Sequence, residues 1–405
     1  MRNSKNESTR LEAILGQAGV GKSYTINQRI KANPKYGIRT ATTGIAAVNM
    51  DNIEGVADAI TINKALTFFD AASILKAYCK GILKFRIKML CYSYRNLIID
   101  ECFMMNAAIL DIIVMAIRDY NREYYADFGL ILLGDVGQLT PVQGAPIFEA
   151  ECWKDFKITK LEEVKRQENK EFAEALNHLR VGNLELALPY LEKNANFTSS
   201  INKKFKGTTF FPTNAEVTSF NRMRLQKILT PFKVYKAKIT GSPDSLWNQL
   251  PQTIMLKQGC LIQLLYNDPE GKFANGDIAI VEEVWDNCIF ISLLRRNKSF
   301  YLKPRKIFNY HVNSLGFKNK KPIGTLELMH VRLAYALTIH KVQSLTLDNV
   351  QICLNGPGKK FLGSQSGMLY TALSRVKTVE GLNIVGTIKD LRESCYVNPD
   401  YLKWM

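Results

Sequence analysis

The chain has 405 residues, 46% of them hydrophobic and 22% charged. That length exceeds one compact core and suits two or three domains, and the composition excludes a largely disordered protein. Lysine and arginine outnumber the acids 54 to 37, a net charge of +17, which favours a polyanionic partner whose counterions the basic groups displace.

Eight cysteines are scattered without a CxxC pair, and none of the four histidines stands at metal-ligand spacing from a cysteine. The pattern predicts neither a zinc site nor a disulfide framework and fits a reducing compartment. No apolar run reaches bilayer length, and the first residues, MRNSKNESTR, are polar. The expectation is therefore a cytoplasmic protein with no membrane partner.

In chain order, LEAIL (11–15) reads as a strand, followed by a glycine-rich turn and a helix from about Lys22. IRTATT (38–43), RNLIID (95–100) and FGLILLGD (128–135) are further strands, the last two ending in an acid. Runs of Ile and Leu without polar alternation predict a parallel sheet buried on both faces, the doubly wound α/β class. Residues 67–94 interrupt this pattern with an apolar, basic stretch carrying Lys76, Lys80, Lys84, Arg86 and Lys88. It reads either as a small insertion or as an amphipathic helix with a solvated basic face.

A second α/β region begins near Ile158. KEFAEALNHLRVG (170–182) is an amphipathic helix closed by Gly182, and residues 207–225 read as strand, turn and helix. From about 256 to 310 short β-rich runs alternate with turn residues, as in a small barrel. Parallel-strand and helical texture returns near Thr325, so the β-rich part is an insert in the second α/β domain.

GQAGVGKS (16–23) matches the phosphate-loop pattern between a strand and a helix. Gly16, Gly19 and Gly21 let backbone N–H groups face an anion. Lys22 then reaches the β- and γ-phosphates of ATP, Ser23 serves Mg²⁺, and Tyr24 adjoins the nucleotide. LIIDE (97–101) supplies the acids of the other half of such a site, Asp100 for Mg²⁺ and Glu101 to polarise the attacking water. LLGDVGQLTPV (132–142) adds Asp135 and Gln138, the glutamine placed to sense the γ-phosphate.

These motifs, with ATTGIAA (41–47), VKRQ (164–167), LTIHKVQSLT (337–346) and YTALSRV (370–376), stand in the order found in superfamily-one helicases. The chain resembles the Dda and RecD-like branch, over nearly its whole length. The resemblance implies two RecA-like domains, at 1–155 and at 156–255 with 325–405. It further implies a small insertion at about 67–94 and an SH3-like β insertion at 256–324. Arg166 and Arg375 match the two arginines that reach the γ-phosphate from the second domain, where a guanidinium offsets transition-state charge. Gln343 matches a residue that senses the nucleotide. Thr42, Thr43, Gly44, Thr61, Asn63, Thr213, Asn214, His340, Lys341 and Ser344 match positions that hold a single strand without reading sequence. Phe85 and Tyr92 are the aromatics singled out in the insertion, where relatives carry the element that splits the duplex.

Three departures from the family stand out: a short lead before the phosphate loop, Ser344 where glycine is usual, and Asn63 and Thr140 where His and Pro are common. The implied function is an ATP-dependent helicase stepping 5′ to 3′ on single-stranded DNA and unwinding forked or tailed duplexes as a monomer, with a single-strand-binding or replication protein as partner. The compact chain resembles phage-encoded helicases of replication or repair, which implies the host cytoplasm. An RNA helicase or non-unwinding translocase is the alternative, and an idle nucleic-acid-binding module a further one.

Overall fold

The computed structural model describes residues 9–405 except 18–19, 51–52, 54–55, 142, 162–169, 244–246, 248–249, 251, 267, 269, 274, 295–297, 311–320 and 344. The first lobe contains, in order, β1 (Leu11–Leu15), α1 (Lys22–Ala32), β2 (Ile38–Ala41), α2 (Gly44–Asn49), β3 (Ile60–Thr61) and α3 (Ile62–Leu66). It continues with α4 (Ala71–Cys79), α5 (Ile82–Cys91), β4 (Asn96–Asp100), α6 (Ala107–Tyr124), β5 (Gly129–Gly134) and β6 (Lys157–Lys160). Its six strands pair in the order β3-β2-β4-β5-β1-β6, all parallel.

The apolar runs explain this sheet. Successive strand side chains point to opposite faces. Ile14, Ile98, Ile131 and Leu133 accordingly pack with Ile26 and Ile30 of α1. Their neighbours Leu15, Leu97, Ile99, Leu130 and Leu132 join the core with α6. In α6, Asn106 caps the first turn by accepting from the Ile109 N–H, and Leu110, Ile113, Val114 and Ile117 form one buried face. Burying each such side chain contributes about 1.5–3 kcal/mol. The register aligns Leu15 with Gly134 and Ala41 with Asp100, so the carboxyl ends of β1, β2, β4 and β5 share one edge.

The interruption at 67–94 is a helical hairpin, α4 and α5, turning at Gly81 and packed on α6. Its basic face is partly engaged: Lys84 pairs with Glu123 at 2.5 Å, and Lys88 lies over the Tyr124 ring. Phe85 and Tyr92 are both exposed.

The second lobe starts with α7 (Lys170–Arg180), α8 (Leu184–Asn194), β7 (Asn196–Thr198), β8 (Thr208–Phe211) and α9 (Asn214–Gln226). Antiparallel strands follow: β9 (Phe232–Lys236), β10 (Lys238–Gly241), β11 (Thr253–Lys257), β12 (Leu261–Leu264) and β13 (Ile278–Val284). After them come β14 (Ile289–Leu293), β15 (Ser299–Leu302), β16 (Arg305–Asn309), β17 (Gly324–Leu328) and β18 (Val331–Leu333). The chain returns to the lobe with β19 (Ala336–Thr338), β20 (Val350–Cys353), α10 (Lys359–Leu362), α11 (Met368–Leu373), β21 (Leu382–Val385) and α12 (Ile388–Ser394). The parallel sheet runs β19-β8-β20-β21-β7, and the antiparallel strands form sheets of five, three and two.

Two RecA-like parallel sheets with antiparallel insertions are thus the architecture. Antiparallel pairing extends from Phe232 to Leu333, beyond the 256–324 read from the sequence, because β9 pairs with β11 and β10 with β17. The last turn, Pro399–Trp404, crosses back to the first lobe: Tyr401 packs edge-on against Phe148 at 4.6 Å and Trp404 against Trp153 at 5.9 Å.

Candidate active site and strand interface

Three loops leave the shared edge of the first sheet and meet. After β1, Gly21 adopts φ +90 at the start of α1, a left-handed conformation that favours glycine. Lys22 Nζ donates to the carbonyls of Gly16 at 2.6 Å and Gln17 at 2.8 Å, so its ammonium rests on the loop's own oxygens. Ser23 Oγ donates to Asp100 Oδ2 at 3.2 Å. A hydroxyl and a carboxylate side by side form a hard-oxygen donor pair of the kind Mg²⁺ prefers, so these residues fit the ion.

Beyond β4, Asp100 Oδ1 accepts from the Glu101 N–H at 2.8 Å, and Glu101 takes φ 52, ψ 41. Non-glycine residues are held in that region at a cost of order 1–3 kcal/mol, and such positions concentrate at functional sites. Burial raises the pKa of Asp100, with Lys22 opposing. Burial and the adjacent Asp100 charge raise that of Glu101, with Arg375 and Lys22 opposing. A carboxylate that holds protons more tightly than usual is a better base for an attacking water.

The loop after β5 is held by the other lobe. Burial alone would raise the pKa of Asp135, but Arg180 and Lys22 hold it below the usual carboxylate range. Arg180 Nε and the Tyr370 hydroxyl each donate to it at 2.7 Å. Thr371 Oγ1 accepts from the Leu139 N–H at 3.1 Å, and Gln343 Nε2 donates to the Leu139 carbonyl at 3.3 Å. Gly367, at φ +76, approaches so closely that a Cβ there would lie 2.2 Å from the Gly137 carbonyl oxygen. Gln138 is buried in the middle of this clamp.

Arg375 completes the site from the second lobe. It is buried, donates to the Thr371 carbonyl at 3.1 Å and to Ser374 Oγ at 2.8 Å, and its charge acts on Glu101. No carboxylate lies within ion-pair distance of it among the described residues. Arg166, Gly19 and Ser344 lie outside the described residues. Tyr24 is exposed on α1.

The strand candidates sit at helix starts and strand ends of both lobes. Thr43, Thr61 and Thr213 each cap a helix, accepting from the backbone N–H three residues on. Thr42 Oγ1 donates to the Glu101 carbonyl at 2.9 Å, which links the loop after β2 to the loop after β4, and Gly44 opens α2. Asn63 Nδ2 donates to the Phe68 carbonyl. In the second lobe Lys341 Nζ donates to Asn214 Oδ1 at 3.3 Å, and burial lowers the pKa of His340.

This two-lobed arrangement has known counterparts. The family model described as AAA domain matches residues 1–200. The ATP-dependent DNA helicase Pif1 of Campylobacter jejuni is 25% identical over 93% of this chain and 89% of its own length. Pif1 helicase from Candida albicans superposes with a TM-score of 0.76 at 22% identity, covering 98% of this chain and 95% of that one. Bacteroides Pif1 bound to single-stranded DNA gives a TM-score of 0.70 at 24% identity, covering 98% and 92%. The chain is thus similar over nearly its whole length to these Pif1 helicases. These similarities support a superfamily-one-like helicase without singling out the Dda-like branch.

Sequence reading missed Arg180 and Tyr370 in this site. Arg180 closes an amphipathic helix and Tyr370 opens the YTALSRV motif, yet only the fold places them on Asp135. Their one sequence signal was position within or beside recognised segments.

Proposed function

We propose that the protein is an ATP-dependent DNA helicase that moves along single-stranded DNA from 5′ to 3′ and separates duplexes. The observation that carries this reading is the meeting of Lys22, Ser23, Asp100 and Glu101 on one lobe with Arg375 on the other. ATP seated on the phosphate loop draws the Lys22 ammonium from the Gly16 and Gln17 carbonyls to the β- and γ-phosphates. Ser23 and Asp100 would hold Mg²⁺, which would supply positive charge to offset the phosphates. Glu101 orients and deprotonates the attacking water. Arg375 neutralises the charge that spreads over the transferring group, so hydrolysis requires the second lobe to be in place.

The Asp135 clamp carries that requirement to Gln138: a loop of the first lobe is fastened to the second, and movement of either is felt at the γ-phosphate. Alternating closure and opening then shifts one lobe's grip on the strand relative to the other. The 5′-to-3′ direction rests on the motif resemblance. The test is steady-state ATP hydrolysis with and without single-stranded DNA, beside Glu101→Gln, followed by unwinding of duplexes tailed at either end. Strong stimulation lost in the variant, with unwinding from a 5′ tail, supports the reading. Stimulation by RNA alone overturns the substrate.

A further inference from the structure

Two grooves gather basic side chains, and they differ in how those charges are balanced. The larger, about 1120 Å³, lies at the amino ends of β1 and β6. Its arginines face carboxylates: Arg29 with Glu12 at 2.8 Å, Arg118 with Asp155 at 2.7 Å, Arg10 with Asp127 at 3.5 Å. Three of its arginines are thus paired with carboxylates, two of which, Glu12 and Asp155, line the groove itself. The second, about 690 Å³, runs between α9, the β9–β11 ribbon and the chain from β18 to Lys341. It presents Arg222, Lys257, Arg332 and Lys341, and its described lining residues include no acid.

Arg332 is the telling group. Its guanidinium donates through Nε at 2.7 Å, and again through a terminal nitrogen, to the neutral amide oxygen of Gln263. Burial lowers its pKa to about 10. Burial, and then the Arg332 charge, also lower the pKa of Lys341. A half-buried guanidinium whose side-chain partner among the described residues is a neutral amide is costly, and a bound anion offsets that cost.

The β9–β11 ribbon adds apolar side chains beside Lys257. The antiparallel register sets Phe232 opposite Lys257 and Val234 opposite Met255. Phe232 and Met255 are exposed on that ribbon face and line the groove. At one end the groove reaches Asn214 and Lys341, the hydrogen-bonded pair on the strand-facing edge of the second lobe.

We propose that this groove is an additional subsite for single-stranded nucleic acid, in which Arg332 and Lys341 hold a phosphodiester and Phe232 stacks a base. A guanidinium forks onto phosphate oxygens, and an aromatic face accepts any base. The inference rests on the helicase reading and extends its strand path onto the antiparallel insertion. It assigns binding roles to Arg332 and Phe232, which no helicase motif covers.

The test is binding of fluorescein-labelled oligothymidylates by the full chain, measured by anisotropy across a salt series. Arg332→Gln is expected to weaken binding about tenfold and to reduce the log–log salt slope by about 0.7, one single-strand phosphate contact. Phe232→Ala, at an exposed position, is expected to weaken binding at least about fivefold with the slope unchanged, since no charge is removed. Thermal melting of each variant serves as the folding check. If the wild type binds and its hydrolysis responds to DNA while Phe232→Ala retains full affinity and folded Arg332→Gln retains both affinity and slope, the subsite is overturned and the helicase reading stands. If the wild type neither binds nor responds to DNA, the helicase reading falls and the subsite with it.

Discussion

The two parallel sheets present the same kind of edge, the carboxyl ends of their strands, but furnish it with opposite chemistry. The first sheet ends in Asp100, Glu101 and Asp135 around its own Lys22. The second ends in Thr213, Asn214, His340 and Lys341, with Arg375 turned back toward the first. Ligands of open α/β sheets bind at such strand ends. On the proposed function, the acidic edge would need a metal and Lys22 before it takes a nucleotide, whereas the neutral-to-basic edge would take a phosphodiester chain directly. One topology would then serve two polyanions, with the sign of the side-chain charge deciding which.

The largest effect that can break this contrast is at Lys22. Lys22→Ala is expected to abolish ATP hydrolysis with the fold intact by circular dichroism, and normal turnover would refute the phosphate site. Arg375→Ala is expected to leave ATP binding in place and cut turnover by roughly 10³-fold. A loss of only a few-fold would make the second lobe a bystander to chemistry. Asp135→Ala leaves Arg180 buried without its partner and is expected to cost about 3–5 kcal/mol in denaturant unfolding. A neutral outcome would mean that the clamp does not hold the lobes together. The smallest effect sharpens the other edge. Lys341→Gln is expected to raise the dissociation constant for single-stranded DNA several-fold and to shallow its salt dependence by about one contact. An equal rise in the nucleotide dissociation constant would collapse the distinction between the edges.

The first edge was legible in the sequence because each of its motifs is short and local: a strand, a turn and a chemical group in one unbroken stretch. The parallel strands were legible for a related reason, since burial on both faces leaves unbroken runs such as LILL at 130–133. The Asp135 clamp was not legible. Its partners lie 45 and 235 residues away, and no local pattern marks a contact that only the assembled lobes create. The early start of the antiparallel insertion had a signal that went unread. FKVYK alternates, with Tyr235 buried between exposed Val234 and Lys236, as a half-buried strand should. The Arg332 groove draws on α9, β9, β11 and β18, so only the fold assembles it.

The crossing of the final turn has a mechanical consequence. The backbone passes from the first lobe to the second after β6, and comes back at Pro399–Trp404. At that return Tyr396 and Asn398 hydrogen-bond to Gly367 and Ser366 on one side, while Tyr401 and Trp404 are seated among Phe148 and Trp153 on the other. A body tethered to another at a single point swivels freely in three directions. Tethered at several, it moves only where every tether gives, and here the Asp135 clamp adds a further attachment to the two chain crossings. A shift of one lobe against the other therefore has to loosen the clamp or the aromatic seat of the final turn.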